Sequence, residues 1–239
     1  MIVNRAGKNC RFEDFSHQDL RGADFAGADL MGANFTGANL TRANLTHAKL
    51  FSARFTDAIL ENANLKEADA EVGLDFFPDG ADFTGADLTV ADFTGAKLTG
   101  INFKNAKLTG TTLENANLTG ADLTGANLGY LNLFTGANLI GANLTNAIIA
   151  SDTVLKIQLA TGVKFVDVDL SGKEFSGALF EKANFKGADL TGAVFRNCRL
   201  KGALFVNADL TGTRFEGDEK IRVKMPDGFW GMVKGRSPR

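Results

Sequence analysis

Hydrophobic side chains recur along this chain at intervals of five. From Phe15 the central positions run Leu20, Phe25, Leu30, Phe35, Leu40, Leu45, Leu50, Phe55, Leu60 and Leu65 to a degenerate Ala70. The residue two before each centre is usually Ala and the one before it Asp or Asn; the one after is often Thr and the next Gly or Asn. A five-residue period suits neither an amphipathic helix at about 3.6 residues nor a strand at about 2. It suits a chain that turns a corner in every unit, with the centre and the preceding Ala facing inward and the polar three facing water. Gly at the end of a unit then supplies the positive φ that such a corner needs.

The phenylalanines set the number of sides. In the last block the centres read Phe165, Leu170, Phe175, Phe180, Phe185, Leu190, Phe195, Leu200, Phe205, Leu210 and Phe215. In a four-sided coil alternate units lie on opposite sides, so Phe165, Phe185 and Phe205 stack on one face and Phe175, Phe195 and Phe215 on the other. A three-sided coil would scatter them. The pattern therefore predicts an all-β, four-sided β-helix solenoid of about ten coils, a rod of roughly 45 Å at the spacing of hydrogen-bonded strands.

The interruptions follow from the same register. Looping out Gly73 to Gly80 keeps Phe83, Phe93 and Phe103 on the faces of Phe15, Phe25 and Phe35. The register then holds through Leu133, with one extra residue expected near Thr135-Gly136 and a second near Ser151-Asp152, both single-residue bulges at corners. The expected organisation is an N-terminal cap and the start of the first coil over 1–14, coils over 15–72, a projecting loop over 73–80, coils over 81–215 and a C-terminal cap over 216–239. In that last segment Ile221 to Val233 reads as two alternating strands around Pro226-Asp227-Gly228, with Lys234 to Arg239 fraying.

Composition adds little to this picture. The 27 glycines reflect the repeat, and a formal net charge of -2 argues against direct nucleic-acid binding. The N-terminus lacks a basic-then-apolar leader, and no apolar run could span a bilayer, so the expectation is a cytoplasmic protein with no membrane association.

Catalytic and metal-binding chemistry can be tested by geometry. His17 and His47 fall on opposite faces and cannot share a metal or a proton relay. Cys10 and Cys198 take inward positions at opposite ends of the rod, too far apart for a disulfide, and are expected to be buried core residues of a reducing compartment. The Asp and Asn residues before the centres serve either as an anionic surface or as turn-formers, and their free exchange favours the turn. A flat threonine array of the ice-binding kind is broken, since positions one coil apart read Thr84, Lys104, Thr124 and Thr94, Glu114, Phe134. No catalytic residue, cofactor site or metal site is expected. The candidate interaction loop is Leu74, Phe76, Phe77 and Pro78, apolar residues in a projecting segment. Phe229 and Trp230 are candidates for the C-terminal cap or a contact.

Tandem units such as Ala23-Asp24-Phe25-Ala26-Gly27-Ala28-Asp29-Leu30 make the chain resemble the pentapeptide repeat family. The resemblance implies a right-handed quadrilateral β-helix, and the regular Ala-Asn-Leu-Thr-Gly style is most like cyanobacterial members, whose roles are largely undefined. A more distant branch, which includes Qnr-type proteins, binds bacterial type II topoisomerases, and that likeness implies imitation of the shape and charge of duplex DNA. Those proteins dimerise through a C-terminal helix, whereas Pro226, Gly228 and Gly231 interrupt the tail here. The sequence thus points to a non-enzymatic, rigid interaction scaffold with an unidentified protein partner. The alternative is a DNA-mimicking topoisomerase binder, which would need a continuous acidic face.

Overall fold

The computed structural model describes residues 2–71, 80–129, 134–217, 220–224 and 230–234. Single parallel bridges link each unit to the unit 20 residues on, from Asn4↔Asp24 and Asn9↔Asp29 onward. Four five-residue sides therefore close one coil. Longer strands appear at a few steps: β1 (Asn127–Leu128) pairs with β2 (Ile148–Ile149), and β3 (Glu174–Ser176), β4 (Val194–Arg196) and β5 (Arg214–Glu216) stack in parallel. An antiparallel hairpin of β6 (Lys220–Lys224) and β7 (Trp230–Lys234) follows, and β7 lies against β5.

One unit shows why the repeat reads as it does. The Phe25 amide donates to Asn44 O at 2.7 Å, the Gly27 amide to Thr46 O at 2.8 Å, and the Asp29 amide back to Lys8 O at 2.9 Å. The Ala28 amide closes the corner on Phe25 O at 2.9 Å. The remaining amide, of Ala26, has no carbonyl within reach and donates instead to Asp24 Oδ1 at 3.1 Å. That bond is the reason for Asp or Asn before the centre, since either offers the acceptor. Threonine after the centre adds its hydroxyl to the same oxygen, as Thr46 Oγ1 does to Asn44 Oδ1 at 2.6 Å.

The last residue of most units is left-handed. Gly27 has φ +62°, and at most positions where Gly is replaced the residue keeps the conformation, often as Asn or Asp but also as His17, His47 and Phe12. The corner demands it, and non-glycine residues accept the strain.

Inside, the centres and alanines form one buried core. Phe15, Phe35, Phe55 and Phe83 stack with centroids 4.9, 4.8 and 4.5 Å apart. Phe165, Phe185 and Phe205 stack on the same side, with Phe175, Phe195 and Phe215 opposite them. Rings from the two sides meet edge to face, as Phe185 and Phe195 do at 5.8 Å and 84°. Both arrangements suit the ring quadrupole.

The bridges step from Arg54 to Asp82 and from Ile59 to Asp87, an offset of 28, so Phe83 lies over Phe55. Most of the expected loop, including Leu74, Phe76, Phe77 and Pro78, lies outside the described residues. The first single-residue shift is in a different place from that expected. The Ala137 amide turns onto Phe134 O at 3.0 Å, Gly136 holds φ +67°, and Phe134 is buried. Phe134 therefore fills a centre's place, itself at φ +67°, and is not the outward residue inferred above; the register is already shifted at Thr135, whose carbonyl accepts from the Asn115 amide at 2.9 Å. At the second shift the corner closes one residue later than usual, from the Thr153 amide to Ala150 O at 3.0 Å.

At the N-terminal end the inward slots that later hold alanine carry Val3, Lys8, Glu13 and Gln18. Lys8 and Gln18 remain exposed, and the Arg5 and Glu13 side chains approach to 3.9 Å. Inward charges of this kind protect a strand edge from pairing with another chain.

Two substitutions test the division of labour in the unit. Asn184→Asp, which keeps the acceptor for the Lys186 amide, should leave stability within about 0.5 kcal/mol. Asn184→Ala should cost about 1 kcal/mol, and Phe185→Ala, in the middle of the ring stack, about 3–5 kcal/mol, each read from chemical denaturation.

Candidate interaction surface

The packed interior leaves the outside of the rod as the place for chemistry. Among the described residues no group of His, Cys, Asp and Glu could hold a metal ion. His17 and His47 sit in left-handed corner positions two faces apart, and His47 Nδ1 lies 3.4 Å from Glu67 Oε2 on an exposed surface. Cys10 and Cys198 are both buried and unpaired. Burial, reinforced by the neighbouring Glu13, raises the Cys10 thiol above its ordinary value. Burial alone pushes the Cys198 thiol up to about 11. Neither is a thiolate at neutral pH, so neither is an activated nucleophile.

The acidic positions do not form a continuous face. Along the four ladders neutral residues or cations separate most of the acids, as in Asp82↔Asn102, Asp69↔Lys97 and Asp87↔Lys107. Ion pairs between coils take up several of the carboxylates: Lys97–Asp69 at 2.9 Å, Lys66–Asp92 at 3.1 Å, Lys104–Asp122 and Lys107–Asp87 at 3.2 Å, and Arg11–Asp29 at 2.8 Å. Asp169, Asp189 and Asp209 are the one run of three successive acids in register.

The same groups carry a pH dependence. Partial burial opposes ionisation of Asp87, Asp92 and Asp122, but threonine hydroxyl and amide donors and a neighbouring lysine outweigh it and hold each carboxyl below the usual range. Their folded values lie below the unfolded ones, so the stability they add is complete above about pH 4 and is lost as the pH falls through the folded values. Thermal unfolding should therefore drop on acidification below about pH 4. Asp122→Asn, which keeps the turn acceptor but gives up the charge, should make that drop shallower.

The apolar surface that sequence reading missed is near the N-terminal end. Phe12 occupies a left-handed corner at φ +59°, a costly place for a bulky residue, and is 61% exposed. Its ring lies over Gly32 in the next coil, where an added Cβ would stand 2.5 Å from the ring carbons. The Phe12 amide bonds Met31 O and the Gly32 amide bonds Phe51 O, so half-buried Met31 and Phe51 continue the apolar patch along the same face. A phenylalanine in the slot normally held by Gly or Asn was the available signal. Further along, Ile140, Ile148, Val154 and Leu159 are exposed around the coil that carries the second register shift.

Of the candidates at the C-terminus, Phe229 lies outside the described residues. Trp230 begins β7, paired with Lys224.

The described residues thus form a four-sided solenoid with a buried core and a varied outer surface. The pentapeptide repeats model matches eight copies, over residues 9–46, 79–105, 101–134, 161–197 and 188–217, and the chain belongs to the pentapeptide repeat family. Members of that family are right-handed quadrilateral β-helices and generally serve as structural or interaction modules.

Solved structures with similarity include HetL from the cyanobacterium Nostoc sp. strain PCC 7120, a pentapeptide repeat protein involved in heterocyst differentiation regulation. It is 28% identical over 95% of this chain and 92% of its own, with a TM-score of 0.49. Rfr23 from the cyanobacterium Cyanothece 51142 is 27% identical over 64% of this chain and 88% of its own, at a TM-score of 0.22. QnrB1, a plasmid-mediated fluoroquinolone resistance protein, is 20% identical over 91% of each chain, at a TM-score of 0.44. No curated protein matches. Among the described residues no helix is long and apolar enough to cross a membrane.

The Phe12–Gly32 contact is testable by a double-mutant cycle. Gly32→Ala should destabilise the rod more than Gly120→Ala, where an added Cβ meets nothing at a similar φ of +67°. Adding Phe12→Ala should recover the difference, and additive losses in a denaturant titration would show that the ring does not rest on Gly32.

Proposed function

We propose that the protein is a non-enzymatic scaffold that presents a preformed surface to a protein partner. The observation that carries this reading is Phe12: a large aromatic side chain held exposed, at backbone cost, beside Met31 and Phe51. Strained conformations persist where something other than local stability maintains them. A rigid support also reduces the entropy lost on binding. The segment with Leu74, Phe76, Phe77 and Pro78 is proposed as a second contact, with Phe229 and Trp230 assigned to the C-terminal cap.

Affinity capture with the tagged full-length chain tests this reading. Phe12→Ser with Phe51→Ser, or removal of residues 73–80, should leave the melting temperature within a few degrees yet deplete a partner captured by the wild type. Capture of an unchanged set by both variants would refute the surface assignment.

The alternative, binding to a bacterial type II topoisomerase as a DNA mimic, rests on the Asp169, Asp189 and Asp209 run alone, because neutral residues or cations interrupt the other columns. A gyrase supercoiling assay with and without a fluoroquinolone separates the two. The scaffold reading expects no inhibition and no drug protection at micromolar protein.

A further inference from the structure

Lys173 occupies an inward slot that holds alanine in most units, and it is 6% exposed. Its ammonium donates to three backbone carbonyls one coil earlier: Ala150 O at 2.8 Å, Ser151 O at 2.7 Å and Thr153 O at 3.0 Å. Three bonds of this length require three N–H groups, so the side chain is held as the charged ammonium. Burial pulls its pKa down from the ordinary lysine value, opposed by Asp169 and Asp152.

Those carbonyls belong to the corner that follows the second register shift. On the same ladder further along, the Val194 amide reaches Lys173 O at 2.9 Å and the Arg214 amide reaches Ala193 O at 2.8 Å. The equivalent bond from the Glu174 amide to Thr153 O is absent, and β3 pairs only with β4. The coil-to-coil ladder is broken at this step, leaving a carbonyl oxygen in the core without its backbone donor. An unmet buried acceptor costs about 1–3 kcal/mol.

We infer that the corner at Ala150–Thr153 is a carbonyl cage for a small monovalent cation, filled by the chain's own Lys173 ammonium, which also replaces the backbone donor that Thr153 O lacks after the register shift. The inserted residue is tolerated because of the lysine one coil later. This role concerns the interior of the rod and is independent of any partner.

The test compares wild type with Lys173→Met and Lys173→Thr in the full-length chain. Threonine is a conservative control, since Thr153 and Thr213 occupy such slots and donate to Leu128 O and Leu190 O one coil earlier. Both variants should melt below the wild type. Amide exchange across 150–158 should become at least about tenfold faster, while 20–60 stays unchanged. Ammonium or potassium chloride should raise the melting temperature of Lys173→Thr more than choline chloride does, with no such selectivity in the wild type. Wild-type melting and exchange in Lys173→Met, or a Lys173→Thr variant that responds equally to all three salts, would overturn the assignment.

Discussion

Each unit of the rod must satisfy five backbone amides, and the solution fixes almost everything else. Three amides reach neighbouring coils, one closes the corner, and the fifth has only a side chain available, as the Ala26 amide has only Asp24. Leaving such groups without partners would cost more than the small margin by which proteins are stable. The Asp or Asn before the centre and the left-handed residue two after it are thus backbone requirements. The Leu or Phe and the Ala are packing requirements. Together these leave only the composition of the outward side chains free.

The ladder also decides which irregularities can be absorbed. Eight extra residues in the coil that runs from Phe55 to Phe83 leave the column intact, because Phe83 still stacks on Phe55 at 4.5 Å. A single extra residue inside a coil cannot leave the wall in that way. After the first such shift Asn117 pairs with Asn138 and Asp122 with Asn143, and the ladder recovers. After the second it does not recover at once, and an ammonium from the following coil enters the core to meet the carbonyls. A long insertion can therefore disturb a solenoid less than a short one.

The period, the stacked phenylalanines and the position of Phe83 were legible because each repeats a physical demand many times over. The first shift was misplaced because Leu133 and Phe134 are adjacent and both suit a centre. The turn chemistry held the answer: with Phe134 as centre, Gly136 falls in the left-handed slot and Ala137 in the inward one, whereas with Leu133 they do not. Lys173 in an alanine slot was visible as an anomaly, but its acceptors come from a corner about twenty residues earlier, brought near by the coil. Phe12 was hidden by the opposite error, since a repeat reading attends to inward positions and assigns the rest to water.

That outward freedom is where function must be sought, and the ion pairs constrain it. A rod whose carboxylates were unpaired would present a field like that of an anionic polymer. Here Asp69, Asp87, Asp92 and Asp122 each face a lysine from a neighbouring coil, so much of the charge is neutralised within a few ångströms. Exposed pairs of this type add little stability, typically under about 1 kcal/mol, but they remove long-range steering. What remains distinctive on the surface is apolar and local. Recognition through Phe12, Met31 and Phe51 would depend on shape at short range, which a stiff, fully hydrogen-bonded rod is suited to hold in place.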